Sequence, residues 1–491
     1  MLAHLPILQV IVPLMAAPAC LLLRPTRLLW LFCMMACGLA FAISLLLIAQ
    51  VIDSGPIVYQ LGGWQAPWGI EYRIDALNAF LLVLVSGVGT LVLWAAQYSI
   101  ERELPEQSQL YFYIAYLLCM AGLMGILATG DAFNVFVFLE ISSLATYTLV
   151  GLGKDRRALW ASYQYLIMGT IGATFILIGI GLMYMMTGTL NMHDLAQRLP
   201  EVAHTRTLFT AFAFFSVGVC LKLAVFPLHL WLPNAYAYAP SVVTAFLAAT
   251  ATKVALYVML RFVFDIYGVT FSFEHLPLQK IHLMLGLAGI FAGSLIAIYQ
   301  TNVKRLLAYS SVAQIGYMIL GFSLASELGL VATLLHMFNH GLMKGALFLA
   351  LAAVVYRIGS AELSQFKGLG QRMPLTMAAI VVGGLSLIGV PLTVGFVSKW
   401  YLVLALLEQG WWPVVVLVLL SSMLAVIYVW RIVEVAYFQP PEPGTQREEV
   451  PMGFLLPVWI LVFANIYLGI DTRFTVGIAE MTAQGLFGVQ G

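Results

Sequence analysis

Apolar runs of roughly twenty residues, the length that crosses a bilayer core, repeat along the whole chain and are separated by short polar breaks. They fall at 5–23, 28–52, 76–98, 110–128, 132–152, 160–186, 208–232, 240–263, 282–300, 305–324, 327–356, 373–408, 411–438 and 452–470. This pattern predicts an all-α polytopic membrane protein of about fourteen transmembrane helices. The longest polar insertions, about 53–75, 187–207 and 439–451, are too short for a second domain, and the last reads QPPEPGTQREEVP. Pro227 and Pro391 fall inside the runs 208–232 and 373–408. Proline removes a backbone donor and clashes with the preceding turn, so both helices are expected to be broken. Interrupted segments in corresponding places of two halves point to an inverted repeat with its site at mid-membrane. The fifth to eighth helices would then correspond to the tenth to thirteenth.

Composition agrees: 62% of residues are hydrophobic and 9% charged, against about 25% charged in soluble domains. The net charge of +1 gives no field directed at nucleic acid, and neither a GxGxxG after a strand nor a GxxxxGK[ST] occurs. Cys20, Cys33, Cys37, Cys119 and Cys220 lie in apolar runs without CxxC spacing, which reads as space-filling rather than metal or disulfide chemistry. The first run lacks the basic leader of a signal peptide and is expected to be a retained helix. When the loops are assigned alternately to two sides, thirteen Lys and Arg collect on one, among them Arg24, Arg102, Lys154 and Lys304. The other side has six, among them Arg73, Arg198 and Arg261. The richer side is expected to be cytoplasmic, which places both termini outside a cell membrane, inner or plasma.

Four lysines remain inside the runs: Lys222, Lys253, Lys344 and Lys399. An ammonium at the centre of a membrane helix costs roughly 2.5–3.5 kcal/mol and is normally kept for function, paired or hydrated. Glu140, in FNVFVFLEISSLATYTLV, is the one carboxylate deep in a run and the obvious counter-ion. Burial disfavours both charged forms and pairing favours both, so a Glu140–Lys222 pair able to close and part would act as a proton switch; the bland reading is a static ion pair locking two helices. Lys253 follows Thr250 and Thr252, whose hydroxyls could hold water, and reads as a relay or as a snorkelling chain. Lys399, between Ser398 and Trp400, is a second relay or an interfacial residue. His336, His340 and Lys344 are spaced four apart in LLHMFNHGLMKGALFLAL and share one helix face, as a proton relay requires. A zinc pair would lack a nearby third ligand, and Gly341 and Gly345 read as close helix packing. His229, just past Pro227, is either a relay member or a water binder.

Three stretches, KLAVFPLHLWLPNAYAYAPSVVTAFLAATATKVALY, HMFNHGLMKGALFL and GVPLTVGFVSKW, resemble the antiporter-like proton-translocating family shared by respiratory complex I, membrane-bound hydrogenases and Mrp-type cation/proton antiporters. The likeness covers most of the chain. It implies fourteen helices with two inverted five-helix repeats, each holding a broken helix. The chain 1–491 would then be a single membrane domain: helices 1–3 in 1–109, a first repeat in 110–263, a second in 282–438, and a loop with the last helix in 439–491. It also implies Glu140 and Lys222 as a functional pair, Lys253 as relay, His336 and His340 on the central helix, and Lys399 as the distal gate. Length, and lysine rather than glutamate at 399, make the chain most similar to the Mrp D-type branch. One departure stands out, since the family commonly has WLPDA and this chain has Asn234 in the acid's place; an amide cannot titrate there.

These readings describe a transporter subunit without haem, flavin, Fe–S or metal cofactor, moving protons along a Glu/Lys/His axis. Its partners would be other subunits of a membrane complex, with Na⁺ or K⁺ moving in the opposite direction. The alternative is a non-redox pumping subunit of a redox-driven complex, such as an NADH:quinone oxidoreductase or a hydrogenase, and the genes beside it would distinguish the two.

Overall fold

A computed structural model describes residues 2–23, 26–441 and 446–488. Arg24 and the middle of the 439–451 loop lie outside that range. Among the described residues thirteen helices are long and apolar enough to cross a membrane. They are α1 (Leu5–Ala19), α2 (Thr26–Ser54), α3 (Ala76–Glu103), α4 (Glu106–Ala128), α5 (Ala132–Gly151), α6 (Arg157–Thr187), α7 (first half Arg206–Leu223), α8 (Ser241–Leu260), α9 (Leu278–Ile298), α10 (Val303–Ser323), α11 (Glu327–Ile358), α13 (Trp412–Val433) and α14 (Met452–Ile470). The second half of α7 is Trp231–Tyr238, and α12 crosses as two short halves, Pro374–Ile388 and Val394–Glu408. The fourteen expected crossings are therefore present, with both breaks near the prolines that predicted them. Among the elements with no counterpart in the hydropathy pattern, two stand out. The 53–75 insertion holds an antiparallel hairpin, β1 (Ile57–Gln60) with β2 (Glu71–Ile74), and an amphipathic helix α15 (Arg473–Gly488) follows the last crossing.

Helix ends show why the two halves match. Asp131 caps α5 through the Asn134 N–H and Asn302 caps α10 through the Arg305 N–H. Each cap residue also forms an isolated antiparallel bridge just beyond the next helix, Asp131 to Asn191 and Asn302 to Glu362. The intervening helices, α6 and α11, both stop at a glycine of positive φ, Gly188 and Gly359, the usual way to end a helix with a left-handed residue. Both fifth members widen into a π-turn, Arg261–Ile266 after α8 and Glu434–Phe438 after α13. Since α5 and α10 stand an odd number of crossings apart, they enter from opposite faces, and the repeat is inverted.

Most residues of α3, α4, α8, α10 and α11 are buried, whereas fewer than half are in α1, α2, α6, α9, α13 and α14. A bilayer offers no partner to backbone groups, so the helix breaks must lie where protein surrounds them. Small residues set the closest approaches: Gly172 on α6 meets Gly218 on α7, and Gly286 on α9 meets Gly316 on α10. Two basic residues assigned to loops from the pattern are instead enclosed. Arg261 closes α8 and pairs with Asp75 at 2.8 Å and Asp265 at 3.1 Å, and Lys304 donates from the first turn of α10 to the Ala239 carbonyl at 3.0 Å. Alternation in hydropathy cannot see a charged residue in the last turn of a run that has found partners inside.

Candidate functional site

The first half of α7 ends where Ala224 adopts a left-handed conformation, and the Ala224 and Val225 N–H groups turn back to Leu221 and Cys220. Trp231 Nε1, from beyond the break, donates to the Leu221 carbonyl at 2.9 Å. Lys222 therefore sits in the last turn of a half-helix, where carbonyl dipoles favour a cation. Its Nζ lies 3.9 Å from Glu140 Oε1, while the shorter bond, 2.8 Å, goes to Ser143 Oγ, with Tyr147 OH at 3.5 Å. Glu140 Oε1 accepts no hydrogen bond among the described residues. The pair is thus held open, with a hydroxyl taking the ammonium's first bond. A cavity of about 40 Å³ adjoins Lys222, walled by Ser142, Ser143, Thr146 and the Ala251–Ala255 face of α8. A cavity needs roughly 10–15 Å³ to admit a water, so the space is large enough for water beside the ammonium.

Lys253 lies on α8 with no exposed surface. Its ammonium donates to the Ala248 carbonyl one turn back and lies 3.4 Å from Thr252 Oγ1. Thr250 does not serve it; that hydroxyl bonds the Phe246 carbonyl. Helix α11 approaches α8 closely because Gly341 and Gly345 face Ala249, and His340 and Lys344 each immediately precede one of these contact glycines. The His336 and His340 rings lie parallel, 6.1 Å between centroids. Neither ring nitrogen of His340 has a partner among the described residues. Lys344 is turned away to α10, donating to Leu307 O at 2.8 Å and to Ser310 Oγ.

His336 is fully partnered, Nε2 with Gln314 Oε1 and Nδ1 with Ser398 Oγ, both at 2.8 Å. The amide oxygen only accepts, so Nε2 carries a proton, and the serine can either donate to Nδ1 or accept from it. When it accepts, its own proton can turn to the Gly395 carbonyl at 3.3 Å. The ring can therefore gain or lose a proton without any heavy atom moving.

At the second break, Gly389 with φ 94 ends the first half of α12. Lys399, from the second half, reaches back so that Nζ donates to Ile388 O at 2.7 Å, Leu387 O at 3.3 Å and Ser422 Oγ at 3.0 Å. The ammonium also lies 4.8 Å from the Tyr317 ring centroid. Lys399 is enclosed while its neighbour Trp400 is exposed. The two remaining accessory residues stay apart from the lysines. His229 stacks on Phe226 with its Nδ1 unpartnered among the described residues, and Asn234 Nδ2 donates to Gln164 Oε1 at 2.8 Å. Ser143, Tyr147, Gln314, Tyr317 and Ser422 touch the axis and were not singled out from the sequence. Each is an ordinary polar residue in its own helix, and only the neighbouring helix shows what it faces.

With this geometry in place, known proteins can be set beside it. The family described as NADH:quinone oxidoreductase/Mrp antiporter, TM, matches residues 129–425, a span holding both breaks and every axis residue from Glu140 to Lys399. The chain is 42% identical over 487 residues to the N-type subunit of the NADH-quinone oxidoreductase of Desulforudis audaxviator, covering 96% of each protein. It is 32% identical over 430 residues to the D-type subunit of the Na⁺/H⁺ antiporter of Alkalihalophilus pseudofirmus, covering 87% of this chain and 85% of that one. It superposes on one protein of the Mrp complex from Dietzia sp. with a TM-score of 0.90 at 25% identity, covering 99% of this chain and 97% of the other. The chain belongs to the NADH:quinone oxidoreductase/Mrp antiporter family of membrane subunits.

Proposed function

We propose that the chain is a proton-translocating subunit of a multisubunit membrane complex, conducting protons along Glu140, Lys222, Lys253, His340, His336 and Lys399. The observation that carries this reading is the run of enclosed basic groups across α7, α8, α11 and α12, set at two helix breaks and bridged by hydroxyls and an amide. Glu140 controls how readily Lys222 holds its proton, because the 3.9 Å pair can close or open. Lys253, His340 and Lys344 form a cluster of bases whose members cannot all be charged at once, so a proton arriving at one displaces another. Lys399 exchanges with the far side.

The complex we favour is a cation/proton antiporter exchanging Na⁺ or K⁺, in line with the relative named as a Na⁺/H⁺ antiporter component. A redox-driven pump is the second reading, favoured by the 42% identity to a component of an NADH-quinone oxidoreductase. We further assign the repeats to 110–263 and 282–438, and place the protein in the cell membrane with its basic-rich loops cytoplasmic and both termini outside. Glu140→Ala and Lys222→Ala, assayed in vesicles holding all partner subunits, test the conduction reading. Loss of pH-gradient collapse on adding Na⁺ or K⁺ supports the antiporter, and loss of quinone-dependent acidification with no cation response supports the pump. Unchanged transport in both assays rejects proton conduction.

A further inference from the structure

One cavity, of about 360 Å³, belongs to none of the axis groups. It opens at the face where α3 begins and α8 ends, the face opposite Arg102. Arg73, Asp75, Tyr257, Arg261 and Asp265 line it, with Met481 of α15 on its outer wall. A cavity needs roughly 10–15 Å³ to admit one water, so this one is large enough to admit several. At its inner end Arg261 donates to Asp75 Oδ1 at 2.9 Å, to Asp265 Oδ2 at 3.1 Å and, through Nε, to Tyr257 OH at 3.4 Å. Tyr257 in turn donates to the Leu127 carbonyl at 3.3 Å.

Lys253, Tyr257 and Arg261 are spaced four apart and so lie on one face of α8. The cavity thus reaches within one helical turn of the lysine at the middle of the axis. A guanidinium and two carboxylates placed in a membrane helix end are costly unless they serve something, and the π-turn that begins at Arg261 widens the helix where such turns often mark functional sites.

Resting on the reading of Lys253 as a relay, we infer that this cavity is an aqueous port giving the axis its own opening to the face that carries the chain's ends, with Asp75 as the exchanging carboxylate. In the step assigned to it, the Lys253 stem swings from Ala248 toward Tyr257, and the ammonium gives one proton to water, leaving a neutral amine. The Asp75 carboxylate takes that proton and gives up its ionic bond, while Arg261 keeps Asp265. Asp75 then releases the proton to cavity water and the Arg261 pair re-forms. Charge and protons balance without any further reactant.

The test uses the assembled complex in vesicles. Asp75→Asn keeps the helix cap and a hydrogen bond to Arg261 but cannot exchange a proton; it is expected to lower proton flux about tenfold or more, with Tyr257→Phe giving a smaller loss. Lys253→Ala is run beside them. Unchanged flux in Asp75→Asn with flux abolished in Lys253→Ala overturns the port and leaves the axis intact. Unchanged flux in Lys253→Ala overturns the relay reading itself. Should Asp75→Asn fail to assemble, Met481→Cys decides: the native cysteines are all buried, so a membrane-impermeant thiol reagent applied from the port face modifies the new one. A fall in flux on labelling, measured against the same sample before it, supports the port, and labelling without effect or no labelling overturns it.

Discussion

At the α7 break the ammonium of Lys222 faces a carboxylate 3.9 Å away and bonds first to a serine. At the α12 break the ammonium of Lys399 faces no acid among the described residues and leans on two backbone carbonyls and a serine. Both lysines stand beside the end of a half-helix, but Lys222 belongs to the half that ends, whereas Lys399 reaches back to its carbonyls from the half that follows. Their control differs too. A carboxylate can move, titrate or be drawn to another charge, whereas carbonyls at a helix end are fixed in place and in sign. On the proposed reading, the first lysine answers to events outside itself, and the second answers only to its own proton.

The strongest way to break this comparison is to remove both cations. Lys222→Ala and Lys399→Ala should each reduce proton flux roughly a hundredfold, equivalent to about 2.7 kcal/mol of added barrier. Arginine separates charge from exchange, because a guanidinium keeps the positive charge and its hydrogen bonds but does not release a proton. Lys399→Arg should consequently assemble normally and still be inactive in a vesicle proton-flux assay. Retained flux in that variant would mean that Lys399 is a structural cap on α12 rather than a relay.

The next test moves the acid. Glu140→Gln removes control at the first break, and Ser422→Asp installs a carboxylate beside Lys399, since Ser422 Oγ already lies 3.0 Å from its Nζ. Each should slow flux about tenfold, the first by leaving Lys222 without its partner and the second by pinning Lys399 in the charged form. If Ser422→Asp conducts like the parent, the absence of an acid at the second break has no functional meaning. Smaller again is the effect of the bridging hydroxyls. Ser143→Ala and Ser398→Ala each remove one hydrogen bond to an axis group, worth about 1–3 kcal/mol when a buried partner is left unmet. Flux should fall severalfold, and less in Ser143→Ala, where the adjoining cavity lets a water replace the hydroxyl.

What could be read in the sequence follows from the same physics. Fourteen crossings and two breaks were legible because hydropathy and proline act locally, and the membrane amplifies both. Lysines and the lone glutamate were legible because a charge in lipid is conspicuous. Gln314, Tyr317 and Ser422 were not, since a polar residue in a membrane helix looks the same whether it faces a histidine, a lysine or nothing. Arg261 and Lys304 were misplaced for the opposite reason, being charges at the ends of runs, where a loop residue and a buried ion pair leave one and the same mark.

The two breaks also differ in the residue that ends each half-helix, and this gives the smallest effect. Ala224 carries φ 60 and Gly389 carries φ 94, a region that costs a residue with a Cβ roughly 1–2 kcal/mol. Ala224→Gly relieves that strain but loses a fully buried methyl, worth about 0.8 kcal/mol, and adds freedom to the unfolded chain. The terms nearly cancel, so the unfolding midpoint in detergent should hardly move and flux should be unchanged. Gly389→Ala has no such offset: it takes on the strain, and its new Cβ would stand 2.9 Å from Lys399 Cδ. It should lower the midpoint and weaken flux together, because the same atom that strains the turn displaces the relay lysine. Equal effects at the two positions would show that the backbone turn, and not the seat of the cation, is what the second break requires.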